Sequence, residues 1–222
     1  MLAQKNNDYR NTDKCPVLKD VNSKKLCLEN RIKTEHERVK IVYNFVKDKN
    51  NYYFREFARI YNEKCAYCGV RAGITDIDMF EVDHFICESS FERTTDGKAM
   101  AGEISNLVFS CYSCNRGKSN LYITPEYIEV LNPNTNSISK VFCRDENYYI
   151  NIRTEYSEDK FIKDFYKKLR FGNEFRRLDY LLLELQALIT ESRSNNSALA
   201  EKLQQCFGIL LTRRNRTLSS EL

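Results

Sequence analysis

No apolar run in this 222-residue chain approaches the roughly eighteen residues a membrane-crossing helix needs, so no membrane contact is expected. The segment MLAQKNNDYRNTDK has no apolar stretch of the kind an export signal carries, and nothing in it points to export. A Gly-rich phosphate loop is missing, and so are internal repeats and low-complexity tracts, which excludes a nucleotide-cradling loop of that type and a solenoid. Histidine is scarce: His36 and His84 are the two in the chain. Cysteine is not scarce, but nine is an odd number and four of the nine form two CxxC pairs. That pattern suits metal-bound thiolates in a reducing cytoplasm better than a disulfide scaffold.

The net charge of +4 conceals a pattern. Residues 1–50 carry 12 basic and 7 acidic side chains, residues 51–159 carry 11 and 17, and residues 160–222 carry 12 and 7. Basic ends around an acidic middle are either ordinary variation between helix surfaces or flanks that hold a polyanion against a site needing carboxylates.

Along the chain, residues 1–25, with Cys15-Pro16, are expected to form a loosely ordered arm or, equally, to pack on the surface. Apolar residues from Leu28 to Val46 and again in NYYFREFARIYNEK recur at helical spacing, predicting two helices. DIDMFEVDHFI and NLVFS have strand character, with Thr94–Gly102 between them as loop. A short helix is expected to run out after Lys118, LNPNTNS marks a turn region, and SKVFCRDENYYINI predicts a hairpin turning at Arg144–Asn147. Three amphipathic helices follow, in FIKDFYKKLRF, FRRLDYLLLELQALI and ALAEKLQQCFGILL, separated by Gly172-Asn173 and by SRSNNS.

Cys65 and Cys68 in KCAYCG, with Cys111 and Cys114 in CYSCN, form two knuckles that can converge tetrahedrally on one ion, and zinc is the default for four thiolates. A thiol redox pair is the rival. Cysteines 15, 27, 87, 143 and 206 lack such spacing. Between the knuckles lies EVDHF. His36, in KTEHERVK, is explained by a solvated helix face, whereas His84 follows Asp83 inside a loop that later supplies Asn106, Asn115, Arg116 and Lys118.

The order CAYCG, EVDHF, NLVFSCYSCNRGKSN, across roughly residues 60–125, resembles the zinc-containing HNH endonucleases. NRGKSN is also similar to the stretch closing the HNH domain of CRISPR effectors. The resemblance implies an α+β chain: a small ββα-metal core with a four-cysteine zinc site at residues 60–135, amino-terminal arm and helices at 1–59, and a hairpin with a helical region at 136–222. It implies a metal-dependent nuclease hydrolysing phosphodiester bonds in double-stranded DNA. His84 would be the general base, Asp83 and Asn115 the ligands of catalytic magnesium or manganese, and Arg116 and Lys118 the contacts to phosphate. Asn106 would tie the loop that carries His84. Because adjacent strand residues face opposite ways, the strand is expected to end or twist at Asp83-His84.

Asn115 stands where the family name has histidine, and no proline follows Asp-His, so Glu88 or Glu92 is a further candidate carboxylate. The basic residues Lys167, Lys168, Arg170, Arg176 and Arg177 are expected to meet phosphate. The carboxy-terminal arrangement resembles bacterial anti-phage HNH proteins, notably the nuclease partner of an ATPase in Septu-type and retron-linked systems, which implies a protein partner such as an ATPase subunit. A catalytically idle zinc ribbon binding nucleic acid or protein, and an HNH restriction or homing nuclease, are the alternatives.

Overall fold

The structure, a computed structural model, describes residues 8–12 and 17–220. Part of the expected arm, with Cys15-Pro16, therefore lies outside the described residues. Residues 8–12 take the packed alternative and go further into the core than a surface segment would, since Asp8, Tyr9, Arg10, Asn11 and Thr12 are all buried. The Tyr9 hydroxyl donates to the carbonyl of Tyr67 at 2.5 Å. Arg10 donates to the carbonyls of Ala66 at 2.9 Å and Pro133 at 2.6 Å, while its Nε and Nη2 hold Asp8. A five-donor guanidinium whose partners are mostly backbone oxygens can be buried at no loss of hydrogen bonding. The segment passes so close to the first knuckle that a Cβ on Gly69 would lie 2.2 Å from the Arg10 carbonyl oxygen; Gly69 also has φ +79°, which suits glycine.

The first helix, α1 (Val21–Glu35), begins inside the expected arm and stops well before Val46. The periodicity of Leu28–Val46 is divided because the His36 ring leaves the helix to pack on Phe45, centroids 4.6 Å apart, and a separate turn, α2 (Tyr43–Val46), follows. Tertiary contact overrides local pattern here. The second helical segment forms α3 (Tyr52–Ile60), capped by Asn51, whose side chain accepts from the Tyr53 amide, and it buries Phe54, Phe57 and Ala58.

Strands β1 (Phe80–His84) and β2 (Leu107–Cys111) pair antiparallel, Phe80 opposite Cys111 and His84 opposite Leu107. Phe80 and Phe109 stack with centroids 4.9 Å apart. Lys25 of α1 donates to the carbonyls of Ser105 at 3.0 Å and Leu107 at 2.7 Å, fixing the start of β2. The stretch read as loop between the strands contains a helix, α4 (Thr95–Ala101), because Thr94 caps it by accepting from the Gly97 amide at 3.0 Å.

Directly after β2, α5 (Tyr112–Lys118) starts within the second knuckle and stops at Ser119, φ 47°. A short α6 (Pro125–Ile128) leads to the expected hairpin, β3 (Phe142–Arg144) with β4 (Ile150–Ile152). Then come α7 (Lys160–Lys168), α8 (Glu174–Asn195) and α9 (Ser197–Ser220). SRSNNS is not a linker: α8 runs through most of it, and Asn196 alone separates the two helices. Helices α8 and α9 pack on each other. No described helix is long and apolar enough to cross a membrane.

Candidate active site and metal centre

The four knuckle cysteines converge. Backbone bonds shape the first knuckle, Cys65 N to Val70 O at 2.8 Å and Gly69 N to Cys65 O at 2.9 Å, and the Ala66 amide reaches across to Phe109 O at 2.8 Å. Cys111 ends β2 and Cys114 lies in the first turn of α5. All four sulfurs lie within 4.8 Å of one another, and those of Cys68 and Cys111 are 3.8 Å apart. Four thiolates at ~2.3 Å from a tetrahedral zinc would be spaced about 3.8 Å apart, so the donor set and its spacing fit that ion. All four residues are buried, as a structural site should be.

Asp83 is reached from this centre through Tyr67, the aromatic residue inside the first knuckle. The Tyr67 hydroxyl donates to Asp83 Oδ2 at 2.8 Å. On the other oxygen, Lys118 Nζ stands 3.3 Å from Oδ1 and donates to the His84 carbonyl at 2.8 Å. Lys118 is thus a correction: expected to meet phosphate, it is fully buried, because the last turn of α5 packs on β1 and its ammonium finds a carboxylate and a carbonyl there. Burial raises the Asp83 pKa to about 6, with the Lys118 charge and the Tyr67 hydroxyl pulling it back.

Strand alternation puts Glu81 and Asp83 on one face of β1 and His84 on the other, and β1 ends at His84. The His84 ring lies against Tyr43 of α2, centroids 4.3 Å apart, and Lys47 Nζ sits 4.8 Å from the Tyr43 ring. Burial lowers the His84 pKa below its usual value; the Glu88 carboxylate opposes this, while Lys118 and Lys47 add to it. The imidazole is therefore neutral at neutral pH, as a proton acceptor must be.

Asn115 donates through Nδ2 to Glu81 Oε2, and Arg116 donates to Glu81 Oε1 at 3.1 Å from an exposed position. Glu81 is the site residue that sequence reasoning passed over. The signal was present, since a carboxylate two residues before Asp83 on a strand must share its face. Glu81 and Asn115 thus meet between β1 and α5, with Asp83 on the same face of β1 and its two oxygens held by Tyr67 and Lys118; oxygen donors of this kind are the type that magnesium or manganese takes.

Asn106 accepts from the Ile86 amide at 2.8 Å and donates to the carbonyls of Ile86 and Ala101, both at 2.9 Å, tying the loop after His84 to the end of α4. Glu88 is exposed but near enough to act on the His84 charge, whereas no side-chain contact joins Glu92 to the site.

Of the five basic tail residues, Arg176 is a correction. It is buried with its guanidinium on the cysteine sulfurs, because α8 enters the core at Phe175 and Arg176, so it cannot meet phosphate. Arg177 is occupied by the Asn147 carbonyl and Glu174. Lys167, Lys168 and Arg170 are exposed.

Residues 65–121 match the family model described as HNH endonuclease. The match begins at Cys65 and contains all four cysteines, both strands of the first hairpin and α5, so this segment carries the pattern of that family. No curated protein and no solved structure matches the chain.

Proposed function

We propose that the protein is a metal-dependent endonuclease that hydrolyses phosphodiester bonds in double-stranded DNA. The observation that carries this reading is that, inside the segment matching the HNH endonuclease model, Glu81 of β1 meets Asn115 of α5 on the strand that ends in Asp83 and His84. A zinc ribbon needs only the four thiolates and gives no reason for this set.

In this reading, Asp83 and Asn115 would hold a divalent cation, with Glu81 beside them, and the cation would supply positive charge against the negative charge building on the phosphoryl group and the leaving oxygen. His84 takes a proton from the attacking water, a contribution of roughly 10²–10⁴-fold. Its ring is kept from turning by Tyr43, and its backbone by Lys118. Asn106 holds the following loop. Arg116, 64% exposed at its side chain, is free to exchange Glu81 for a phosphate oxygen.

The sequence resemblance to anti-phage HNH proteins extends the proposal to defence with a partner ATPase in the cytoplasm. Leu199 and Ile209 of α9 are exposed, Ile209 at 70%, and are the first residues to vary in testing such a partner. Nicking of a supercoiled plasmid in magnesium, abolished by EDTA, tests the nuclease reading; a zinc-loaded protein that binds DNA without cutting it in magnesium or manganese would favour the ribbon instead.

A further inference from the structure

Arg176 has no place in phosphodiester cleavage, yet its side chain is only 2% exposed. Its Nη1 lies 3.0 Å from the Cys68 sulfur and 3.5 Å from that of Cys111, and its Nη2 lies 3.0 Å from that of Cys114. Nη2 also reaches Ser113 Oγ at 3.3 Å and the Leu169 carbonyl at 3.0 Å. The planar fork therefore covers three of the four sulfurs. The nearby carboxylate on its own helix, Asp179, is taken by Arg214 at 2.8 Å.

A zinc ion on four thiolates leaves two negative charges in a buried site, an unfavourable excess unless countered. Arginine is the side chain suited to counter it, being permanently charged and weakly hydrated, with donors in a rigid plane. We infer that Arg176 is an outer-shell member of the metal centre: its guanidinium holds the loaded thiolates by N–H···S bonds, and the seating of the first turns of α8 is coupled to the loaded centre. The inference rests on the four cysteines holding zinc and not on the cleavage chemistry. The packing around it agrees. A Cβ on Gly117, in the knuckle helix α5, would lie 2.2 Å from the Lys168 carbonyl oxygen, so the corner between α7 and α8 is pressed onto the knuckle from the side Arg176 enters.

The test begins with the zinc content of purified protein; a protein with no bound metal disposes of the cluster reading itself. With the wild-type chain loaded with ¹¹³Cd, a cadmium–proton correlation through N–H···S bonds should reach guanidinium protons of one arginine and vanish in Arg176→Lys. Its absence in the wild type overturns the inference. Zinc transfer to a chromogenic chelator should be faster by about 10–100-fold in Arg176→Gln, with Arg176→Lys between the two, because the lysine keeps the charge but not the fork. Release at the wild-type rate from either folded variant overturns it, and if the glutamine variant fails to fold, the lysine variant and the cadmium spectrum decide. With zinc bound, amide exchange at residues 174–180 should be faster in Arg176→Gln than in wild type while that of α1 and α3 is unchanged; equal protection of residues 174–180 in the two loaded proteins refutes the coupling of α8 to the loaded centre.

Discussion

The ammonium of Lys118 stands 3.3 Å from Oδ1 of Asp83, and both side chains are shut away from water. One ion pair thus ties the end of α5 to the penultimate residue of β1. Because Lys118 also donates to the His84 carbonyl, the pair fixes the backbone of the proposed general base. The opposite oxygen of Asp83 takes the Tyr67 hydroxyl from the first knuckle, so the four-cysteine cluster and the strand that carries the proposed general base share a carboxylate as their link.

Removing one partner of a buried pair leaves the other charge uncompensated, at a typical cost of about 3–5 kcal/mol. Lys118→Met should therefore lower the unfolding free energy by that order in urea titration, and Lys118→Met with Asp83→Asn should recover part of the loss. A single variant within about 1 kcal/mol of wild type would show that the pair does not form in solution.

The cysteine cluster should hold about one zinc per chain, since apparent binding energies for such sites run to ~10–16 kcal/mol at neutral pH. Cys65→Ser or Cys114→Ser should abolish folded protein, and a strong chelator should unfold the wild type. Circular dichroism before and after chelation, alongside elemental analysis, is the measurement; an undisturbed metal-free fold contradicts a structural role for the ion.

His84→Ala should keep the fold and its zinc while nicking falls by at least ~10². Asn115→Ala should lose activity through weaker cation binding, so that raised magnesium or manganese restores part of it, and should restore little to His84→Ala. Equal rescue of both variants would mean that these two roles are interchanged.

Acid stability should depend on Asp8. Burial opposes its charge, but the Arg10 guanidinium and its hydrogen bonds more than offset this, and the Asp8 pKa is lowered. A carboxylate depressed in the folded state contributes stability that is present above its unfolded pKa of about 3.9 and is lost as pH falls through the folded value. Asp8→Asn should thus be destabilised at neutral pH and show a shallower loss of stability below about pH 4 than wild type. Parallel acid limbs in thermal unfolding for the two proteins would count against the buried pair.

Much of this site was legible in the sequence because CxxC spacing and strand alternation are local rules. Cys65, Cys68, Cys111 and Cys114 come together, and β1 and β2 fall on EVDH and LVFSC. What was not legible depends on contacts between distant segments. Nothing local distinguishes Lys118 from its neighbour Arg116, yet one is enclosed by β1 while the other faces water. Tyr9 and Arg10 sit in a polar stretch whose burial is decided by backbone carbonyls at Ala66, Tyr67 and Pro133. Arg176 looks like its neighbour Arg177 until the knuckle supplies sulfurs on one side of α8. The helix α4 was hidden because Gly97 and the threonines read as loop, when one threonine is its cap.

The burial of Arg176 also narrows where the basic tail can meet DNA. Residues 51–159 carry 11 basic and 17 acidic side chains and would repel a polyanion, so phosphate contact should come from the flanks. With Arg176 on the cysteines and Arg177 held by Asn147 and Glu174, the exposed Lys167, Lys168 and Arg170 at the end of α7 remain. Each lost phosphate contact releases about one fewer counterion, flattening the plot of log affinity against log salt by roughly 0.9. Lys167→Gln, Lys168→Gln and Arg170→Gln combined should therefore reduce the slope by about two to three units, with zinc content unchanged, whereas Arg177→Gln should leave it within about half a unit. Fluorescence anisotropy with a short duplex over a salt series measures this, and an unchanged slope in the triple variant would move the DNA contact away from α7.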